Sequence, residues 1–421
     1  MDSDSLRDVG RRQLVKWSGL AAAGVVAAGV PSPATPPRPR PDRPGSDRSD
    51  PGDRGDRIPP DTLPGGAYDR YMARLAAEGR FSGVVLLSHR GRTVLSRAYG
   101  MADEKRRIRN REDTAFALSS AGKPFHAVAI LQLAQRGKLK LTDTVGAHLT
   151  GFAEDIAAQV TIHHLLSGTS GLDMPKEDVQ RVFQSRNEVH EYHERRVRQA
   201  RLTGVPGLPS TGHQEAEATI PALIVEAVSG TTYWDYVQEN IFRRCGMTGS
   251  AFHTRPQWIT GGNIAHPYME VAGGAVVDAL SNLDKGSPYP YILGKNPGRA
   301  FIDAPGDGGF ATAPDLVRFA RALSDGTVLD RPWADVLTAA KAPHGQASFA
   351  AYGIATDIVE GQWAYQRSGG NPGVGANWSI YPDTGWVGVV LANHDSAPLV
   401  DIIGQELQAV TGASPGGGTG G

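Results

Sequence analysis

The chain has 421 residues, of which 40% are hydrophobic and 21% are charged, a composition typical of a soluble globular protein. Its 43 basic and 44 acidic side chains give a net charge of −1, which argues against nucleic acid or an anionic membrane as a partner of the chain as a whole. The single cysteine, Cys245, excludes an internal disulfide and any multi-cysteine metal or iron–sulfur site, and we expect it to be a small buried residue.

The N-terminus has the layout of an export signal. The pair Arg11-Arg12 precedes a weakly apolar run at residues 17–30, which is shorter than the roughly 20 residues that a membrane-spanning helix needs. Charge followed by a short apolar run indicates a signal peptide, and adjacent arginines indicate the twin-arginine route. An ordinary basic N-terminus or a lone anchor helix is the alternative. Residues 1–30 are therefore predicted to be a signal peptide that the twin-arginine export machinery recognises, which places the protein outside the cell or in the cell envelope.

Two further segments have compositions that do not favour a folded core. Residues 31–66 contain many prolines, with arginines and aspartates interleaved and almost no apolar side chains. With so little apolar surface to bury, this segment is predicted to be an extended, disordered linker. Residues 412–421, mostly glycine, are predicted to be a flexible tail. The remaining residues, 67–411, are predicted to form the folded domain.

The elements of that domain follow an order that predicts its fold. A helical pattern at residues 67–80 leads into two predicted strands, 82–88 and 93–99. Near the other end, a second predicted hairpin at 378–381 and 386–392 precedes a closing helix at 399–410. Helical patterns lie between these pairs, at residues 124–136, 161–166, 220–228, 233–242 and 314–323. The prediction is an α+β fold, with an antiparallel sheet built from both chain ends, flanked by helices, and an inserted, mainly helical lobe.

One short segment carries the pattern of a nucleophile and its base. Ser120 and Lys123 lie three residues apart, directly before a predicted helix, so their side chains can share one face. A serine hydroxyl needs a neighbouring base, and a desolvated neutral lysine can serve as one. The helix N-terminus adds positive potential beside the attacking oxygen. By itself this spacing is common, and a capping serine with a surface lysine is the usual explanation.

The surrounding sequence resembles a known family. The stretch from Thr114 to Leu139 is similar to the nucleophile region of serine β-lactamase-like hydrolases, the group of class C β-lactamases, DD-peptidases and esterases. Similarity continues in order through residues 160–172, 226–230, 307–319 and 382–395, so it covers roughly 68–411. The resemblance implies a β-lactamase/transpeptidase-like fold with the site in a cleft between the sheet and the helical lobe. It also implies that Ser120 is the nucleophile and Lys123 its partner.

The resemblance implies a substrate-binding strand as well. The family's last motif, Lys or His followed by a small residue and Gly, corresponds to Arg367-Ser368-Gly369 here, because Gly369-Gly370-Asn371-Pro372-Gly373 sets the register. Arginine keeps the positive charge and can hold a substrate carboxylate with two hydrogen bonds. The N–H groups of Gly370 and Ser120 would then form an oxyanion hole. The alternative is an exposed arginine on a glycine-rich loop.

The family's middle motif, Tyr-x-Asn, is replaced. Counting back from Glu226 places His213-Gln214-Glu215 where that motif is expected. A neutral imidazole at 213 could act as general base and then protonate the leaving group. Glu215 could orient that imidazole, or it could pair with Lys123 and keep the lysine charged. Alternatively, the site has decayed and both are ordinary polar loop residues.

Two hypotheses about function remain open at this point. The first is an exported serine hydrolase or acyl-transfer enzyme that acts on an ester or amide (a peptide, a β-lactam or an ester) through an acyl-enzyme on Ser120. The second is a catalytically silent relative that binds peptides, wall fragments or β-lactams without turnover. The sequence contains no phosphate loop, dinucleotide fingerprint or H-E-x-x-H pattern, so we expect neither a cofactor nor a metal.

Overall fold

The computed structural model describes residues 58–209 and 215–412. The predicted signal peptide, most of the predicted linker and the tail beyond Gly412 lie outside these residues. The last nine residues of the predicted linker, 58–66, are described, and they include a 3₁₀ helix at Pro60–Thr62 with a buried Thr62. Folded structure therefore begins before the boundary that composition predicted.

An eight-stranded antiparallel sheet organises the part of the chain that the structure describes. Its strands are β1 (Gly83–His89), β2 (Arg92–Tyr99), β3 (Ala342–Pro343), β4 (Ser348–Ala350), β5 (Ala355–Val359), β6 (Gln362–Asn371), β7 (Val374–Tyr381) and β8 (Trp386–Ala392). In space they follow the order β3-β4-β5-β6-β7-β8-β1-β2. The N-terminal hairpin joins the C-terminal strands where β1 pairs with β8, with Leu86 opposite Val389. The prediction of a sheet made from both chain ends is confirmed.

Helices cover both faces of this sheet and form the inserted lobe. They are α1 (Ala67–Ala77), α2 (Pro124–Gln135), α3 (Val145–His148), α4 (Glu154–Gln159), α5 (Ile162–Leu166), α6 (Arg186–Val197), α7 (Ala216–Ser229), α8 (Tyr233–Val237), α9 (Arg255–Thr260), α10 (Ala313–Ser324), α11 (Arg331–Thr338) and α12 (Leu399–Thr411). A π-helical segment, Gln238–Arg243, continues α8, and Cys245 just beyond it is buried as predicted. None of the helices in residues 58–209 and 215–412 has the length and hydrophobicity needed to cross a bilayer.

The central strand β1 shows why the sheet needs both helical layers. Its side chains alternate between the two faces, as strand geometry requires. Val84 and Leu86 belong to the core shared with the helical lobe, whereas Val85 and Leu87 belong to the core under α1 and α12. All seven residues of β1 are buried. A strand covered on both faces is continuously apolar, which explains the uninterrupted VVLL run in the sequence.

Strand β6 positions the functional side of the sheet. It pairs with β7 over residues 365–371, whereas it pairs with β5 over residues 362–366. Strand β6 is not at the edge of the sheet, because three further strands continue the sheet beyond it. Among the described residues, however, no strand pairs with residues 367–371 on the side away from β7. This free half of β6 lies beside a 3₁₀ turn, Ser119–Gly122, which carries Ser120.

Candidate active site

Ser120 lies in that 3₁₀ turn, directly before the buried helix α2. The preceding residue, Ser119, has φ +48°, in the left-handed region that non-glycine residues rarely adopt. Two contacts with β6 hold it there: Ser119 Oγ donates to the carbonyl of Gly370 at 3.0 Å, and Asn371 Nδ2 donates to Ser119 Oγ at 3.1 Å. Ser119 therefore anchors the strained turn, and Ser120 stays partly exposed for reaction.

Lys123 is placed to exchange a proton with Ser120. Its Nζ lies 2.7 Å from Ser120 Oγ, and the lysine is buried, with 6% of its surface exposed. Burial is the largest cause that lowers the pKa of Lys123, and the nearby guanidinium of Arg367 lowers it further. The carboxylates of Asp307 and Glu215 oppose this shift. The predicted pairing of Ser120 with Lys123 is thus present, with an amine displaced toward its neutral form.

Asp307 is a residue of this site that the sequence analysis missed. One of its carboxylate oxygens lies 3.2 Å from Lys123 Nζ. The turn that carries it, Gly308-Gly309, has positive φ at both glycines, and a side chain at Gly122 would come within 1.8 Å of the Gly308 carbonyl. Only glycine at position 122 lets the Gly308-Gly309 turn approach the 3₁₀ turn of Ser120 so closely. The sole signal in the sequence was an acidic residue before two glycines in a segment similar to the family.

The free half of β6 supplies the other groups that the sequence predicted. Arg367 Nε donates to the backbone carbonyl of Ser120 at 3.0 Å, so the guanidinium lies at the nucleophile turn. A side chain at Gly369 would lie 2.8 Å from the Ser120 nitrogen and 2.1 Å from the Leu118 carbonyl, which explains why glycine stands there. Ser368 points its hydroxyl at Asn377 Oδ1, 2.7 Å away on β7, so it supports the strand.

The same strand geometry directs a second backbone N–H toward the turn that carries Ser120. In an antiparallel ladder, the N–H and C=O of one residue project to the same side of the strand. Since the Gly370 carbonyl accepts from Ser119 Oγ, the Gly370 N–H also points away from β7, toward the nucleophile turn. The backbone N–H of Ser120 lies beside the same glycine segment. Two such donors can hold the negative oxygen of a tetrahedral intermediate.

The region of the replaced middle motif is described only in part. His213 lies outside the described residues. Glu215 occupies the N-cap position of α7, where its carboxylate pairs with Arg196 of α6 at 2.5 Å. The sequence left open whether Glu215 orients the imidazole, pairs with Lys123 or is an ordinary polar loop residue. The structure gives it Arg196 as an ion-pair partner, and Lys123 has Asp307. Glu215 still acts on the lysine through its charge, which raises the pKa of Lys123.

Two further carboxyl groups close to the site have strongly raised pKa values. Burial raises the pKa of Glu217 to about 7, although Ser170 donates to it from both its backbone N–H and its hydroxyl. Burial also raises the pKa of Asp303 to about 7, and the charge of Asp307 adds to this effect. Carboxyls that titrate near neutral pH are typical of functional sites, although structural networks also produce them.

A cleft of about 120 Å³ opens beside these groups. Its lining includes both carboxylates and cations: Glu177, Asp178, Arg181, Glu215, Lys295, Arg299, Asp303 and Asp307. Two of them pair with each other, Lys295 with Glu177 at 3.6 Å. Across the ranges that the structure describes, no group of three or more His, Cys, Asp or Glu side chains is placed to hold a metal ion. The cleft can therefore contact substrates of either charge beside Ser120.

Known proteins share this sequence pattern and fold. Putative penicillin-binding protein PbpX of Bacillus subtilis (strain 168) is 27% identical over 247 residues, which are 58% of this chain and 56% of that protein. Esterase EstB of Burkholderia gladioli is 42% identical over 109 residues, 25% of this chain and 28% of that protein. The chain thus spans about half, or less, of the length of these curated relatives.

A solved structure extends the likeness to the fold. The penicillin-binding protein from Bacillus halodurans superposes with a TM-score of 0.67 at 24% identity, covering 79% of this chain and 97% of that one. The model of the family described as Beta-lactamase matches residues 68–411, the region that contains all the candidate site residues. The resemblance seen in the sequence is confirmed: this chain belongs to the Beta-lactamase family, the fold family of penicillin-binding proteins, esterases and related serine hydrolases.

Proposed function

We propose that this protein is an exported serine hydrolase or acyl-transfer enzyme that acts on an ester or amide through an acyl-enzyme on Ser120. The observation that carries the proposal is the distance of 2.7 Å between Lys123 Nζ and Ser120 Oγ, with the lysine buried and its pKa lowered. A capping serine beside a surface lysine would show neither the burial nor the shift. Activating a hydroxyl at neutral pH requires both.

The geometry supports a two-step reaction. Neutral Lys123 takes the proton of Ser120 Oγ while that oxygen bonds to the substrate carbonyl carbon, and the carbonyl oxygen becomes negative between the N–H groups of Ser120 and Gly370. The tetrahedral intermediate collapses with loss of the alcohol or amine, which leaves with a proton. Water or an amine then attacks the acyl-enzyme by the same path and regenerates the serine. A positioned base typically contributes about 10²–10⁴-fold to such a step, and one oxyanion donor about 10²–10³-fold.

Arg367 indicates which substrates fit. Its Nε is engaged with the Ser120 carbonyl, so the terminal nitrogens of the guanidinium remain to bind a carboxylate on the acyl donor. We therefore propose a donor that carries an ester or amide bond and a nearby carboxylate. The names of similar proteins support this range, since they include a penicillin-binding protein and an esterase at the sequence level.

We further propose that His213 takes the place of the family's tyrosine. Its imidazole would share the acid and base work with Lys123 and would protonate the leaving group. Glu215, held by Arg196, fixes the start of α7 directly after this residue.

Covalent labelling tests the nucleophile. The full-length protein is treated with a fluorophosphonate and, separately, with a fluorescent penicillin, and the labelled peptide is identified by mass spectrometry. We expect the label on Ser120, loss of labelling in Ser120→Ala, and retention in the control Ser229→Ala, a serine at the end of α7 that does not line the cleft. Saturable penicillin binding without covalent attachment, together with no fluorophosphonate label, would instead establish the silent binding protein.

A further inference from the structure

A second cleft lies on the opposite end of the sheet from Ser120. It has a volume of about 620 Å³, within the range of about 300–1,000 Å³ that is typical of small-molecule sites. Helices α10 and α11 form one wall, and the ends of β7 and β8 form the other. Its inner surface is mainly apolar, through side chains such as Val317, Ala334, Ile380 and Val387. The catalytic cleft shares none of these residues.

Four arginines surround the mouth of this cleft. Arg90 lies in the β1–β2 turn and Arg92 is the first residue of β2, whereas Arg321 and Arg331 come from α10 and α11. Asp335 is the acidic residue among those lining the cleft, so the lining has a surplus of positive charge on a chain whose net charge is −1. Clustering like charges is unfavourable unless an anion is bound or solvent screens them.

The arginines converge because the two hairpin turns pack closely. The Arg90 N–H donates to the Gly385 carbonyl at 2.7 Å, and a side chain at Gly385 would meet Arg90 Cγ at 2.9 Å. Across the mouth, a side chain at Gly91 would meet Arg321 Cδ at 4.0 Å. Glycines at these turns, both with positive φ, therefore make room for arginine stems from two elements.

Two of these arginines, Arg321 and Arg331, are held only weakly by their acidic partners. Arg321 pairs with Asp325 at 3.6 Å and Arg331 with Asp335 at 3.3 Å, and both arginines have side chains that are 74% exposed. Exposed pairs of this kind contribute little, so either guanidinium can turn toward an anion at the mouth.

From this arrangement we infer that the cleft is a binding site for a small amphiphilic anion, separate from the catalytic site. The apolar walls would hold an alkyl or aromatic body, and the arginines would hold a phosphate or carboxylate head group through charge-assisted hydrogen bonds. The inference does not depend on the proposed reaction, since it uses none of the residues at Ser120.

Calorimetric titration of the full-length protein tests this site. The probes are dodecyl phosphate and dodecanoate, kept below their micelle concentrations, with dodecyltrimethylammonium and inorganic phosphate as comparisons. We expect one equivalent of either amphiphilic anion to bind. The cationic amphiphile and inorganic phosphate should bind at least about tenfold more weakly, because the first lacks an anionic head group and the second lacks an apolar body. The two anionic head groups show whether phosphate or carboxylate is preferred.

Variants locate the binding. Arg92→Gln with Arg321→Gln should weaken dodecyl phosphate binding about tenfold, whereas Arg243→Gln, an exposed arginine in an ion pair outside the cleft, should not change it. Val317→Trp should fill the cleft and remove binding, and Ser120→Ala should leave it unchanged. Equal binding of the cationic amphiphile, unchanged binding in the double arginine variant, or no binding of either anionic amphiphile would overturn the inference.

Discussion

The ion pair between Lys123 and Asp307 leads to a prediction that runs against the usual result of removing a charged residue from an active site. In the proposed reaction, Lys123 must lose its proton before it can act as a base, so kcat/KM for acylation rises with pH as the amine becomes neutral. The Asp307 carboxylate stabilises the charged amine and thereby raises the pKa of Lys123. Replacing Asp307 with asparagine keeps the shape and removes this charge.

The distance sets the size of the effect. At 3.2 Å, two unit charges interact by about 1.3 kcal/mol in water and by about 5 kcal/mol at an effective dielectric constant of 20. The Asp307 side chain is 31% exposed while that of Lys123 is 8% exposed, so the pair lies between these limits. Even the lower limit corresponds to roughly a tenfold change in the fraction of neutral amine. On the acid side of the profile, Asp307→Asn should therefore raise kcat/KM about tenfold.

The assay is the pH dependence of kcat/KM for a p-nitrophenyl ester, measured on the full-length protein. The matched control is Asp178→Asn, the same substitution at an exposed residue that lines the same cleft. We expect the acid limb of the Asp307→Asn profile to move to lower pH and that of the control to coincide with wild type. Thermal unfolding confirms that each variant is folded.

An acid limb that stays in place or moves to higher pH would refute this reasoning. It would mean that the ionisation controlling acylation does not belong to Lys123, or that the lysine acts as a cation. A loss of kcat at every pH with no displacement of the limb would assign Asp307 a purely positional role.

Three further predictions concern other parts of the chain. His213→Ala should lower kcat/KM by about 10²–10⁴ and remove an inflection near pH 6.5, the ordinary imidazole value, from the pH profile. Glu406 is fully buried, and burial raises the pKa of its carboxyl group to about 7. The folded state therefore binds the carboxyl proton more tightly than the unfolded state does. The stability that protonation of Glu406 contributes is complete below about pH 4.5 and is lost as the pH rises to about 7. Glu406→Gln should therefore match wild type in urea unfolding near pH 4.5 and exceed it by roughly 3 kcal/mol at pH 8. Replacing Arg11 and Arg12 with lysines should keep the protein in the cytoplasm, as measured by cell fractionation.

Each of these has a clear contrary result. Wild-type activity with an unchanged profile in His213→Ala would show that the imidazole has no catalytic role and that the register counted from Glu226 is wrong. A stability difference for Glu406→Gln that is the same at both pH values would show that the buried carboxyl does not titrate in this range. Unchanged export of the double-lysine protein would remove the twin-arginine assignment.

Local patterns in the sequence were sufficient to predict much of the fold. The VVLL run of β1 and the hairpin at the other chain end have strand signatures that need no tertiary information. The pairing of Ser120 with Lys123 was also predictable, because side chains three residues apart share a face in helical backbone. Composition gave the wrong boundary of the folded domain at Pro60–Thr62, because proline and polar residues are also typical of a linker. Only packing against α12 reveals that this segment belongs to the folded domain.

The charged partners of the site could not be read from the sequence. Asp307 reaches Lys123 because two positive-φ glycines turn the backbone against Gly122, and Glu215 finds Arg196 because α6 and α7 pack together. Both contacts join residues on different elements, and several acidic residues in each segment were equally possible partners. Sequence spacing predicts contacts within an element, whereas these pairings depend on how elements meet.

Trapping the acyl-enzyme tests the central proposal most directly. The full-length protein is mixed with a p-nitrophenyl ester, quenched in acid at successive times and digested, and the acylated peptide is identified by mass spectrometry. The proposed mechanism predicts a burst of p-nitrophenol equal to the enzyme present and an acyl group on Ser120 that appears and decays at rates compatible with turnover. Turnover without a burst and without acylated Ser120, or acylation of Ser119 instead, would contradict it.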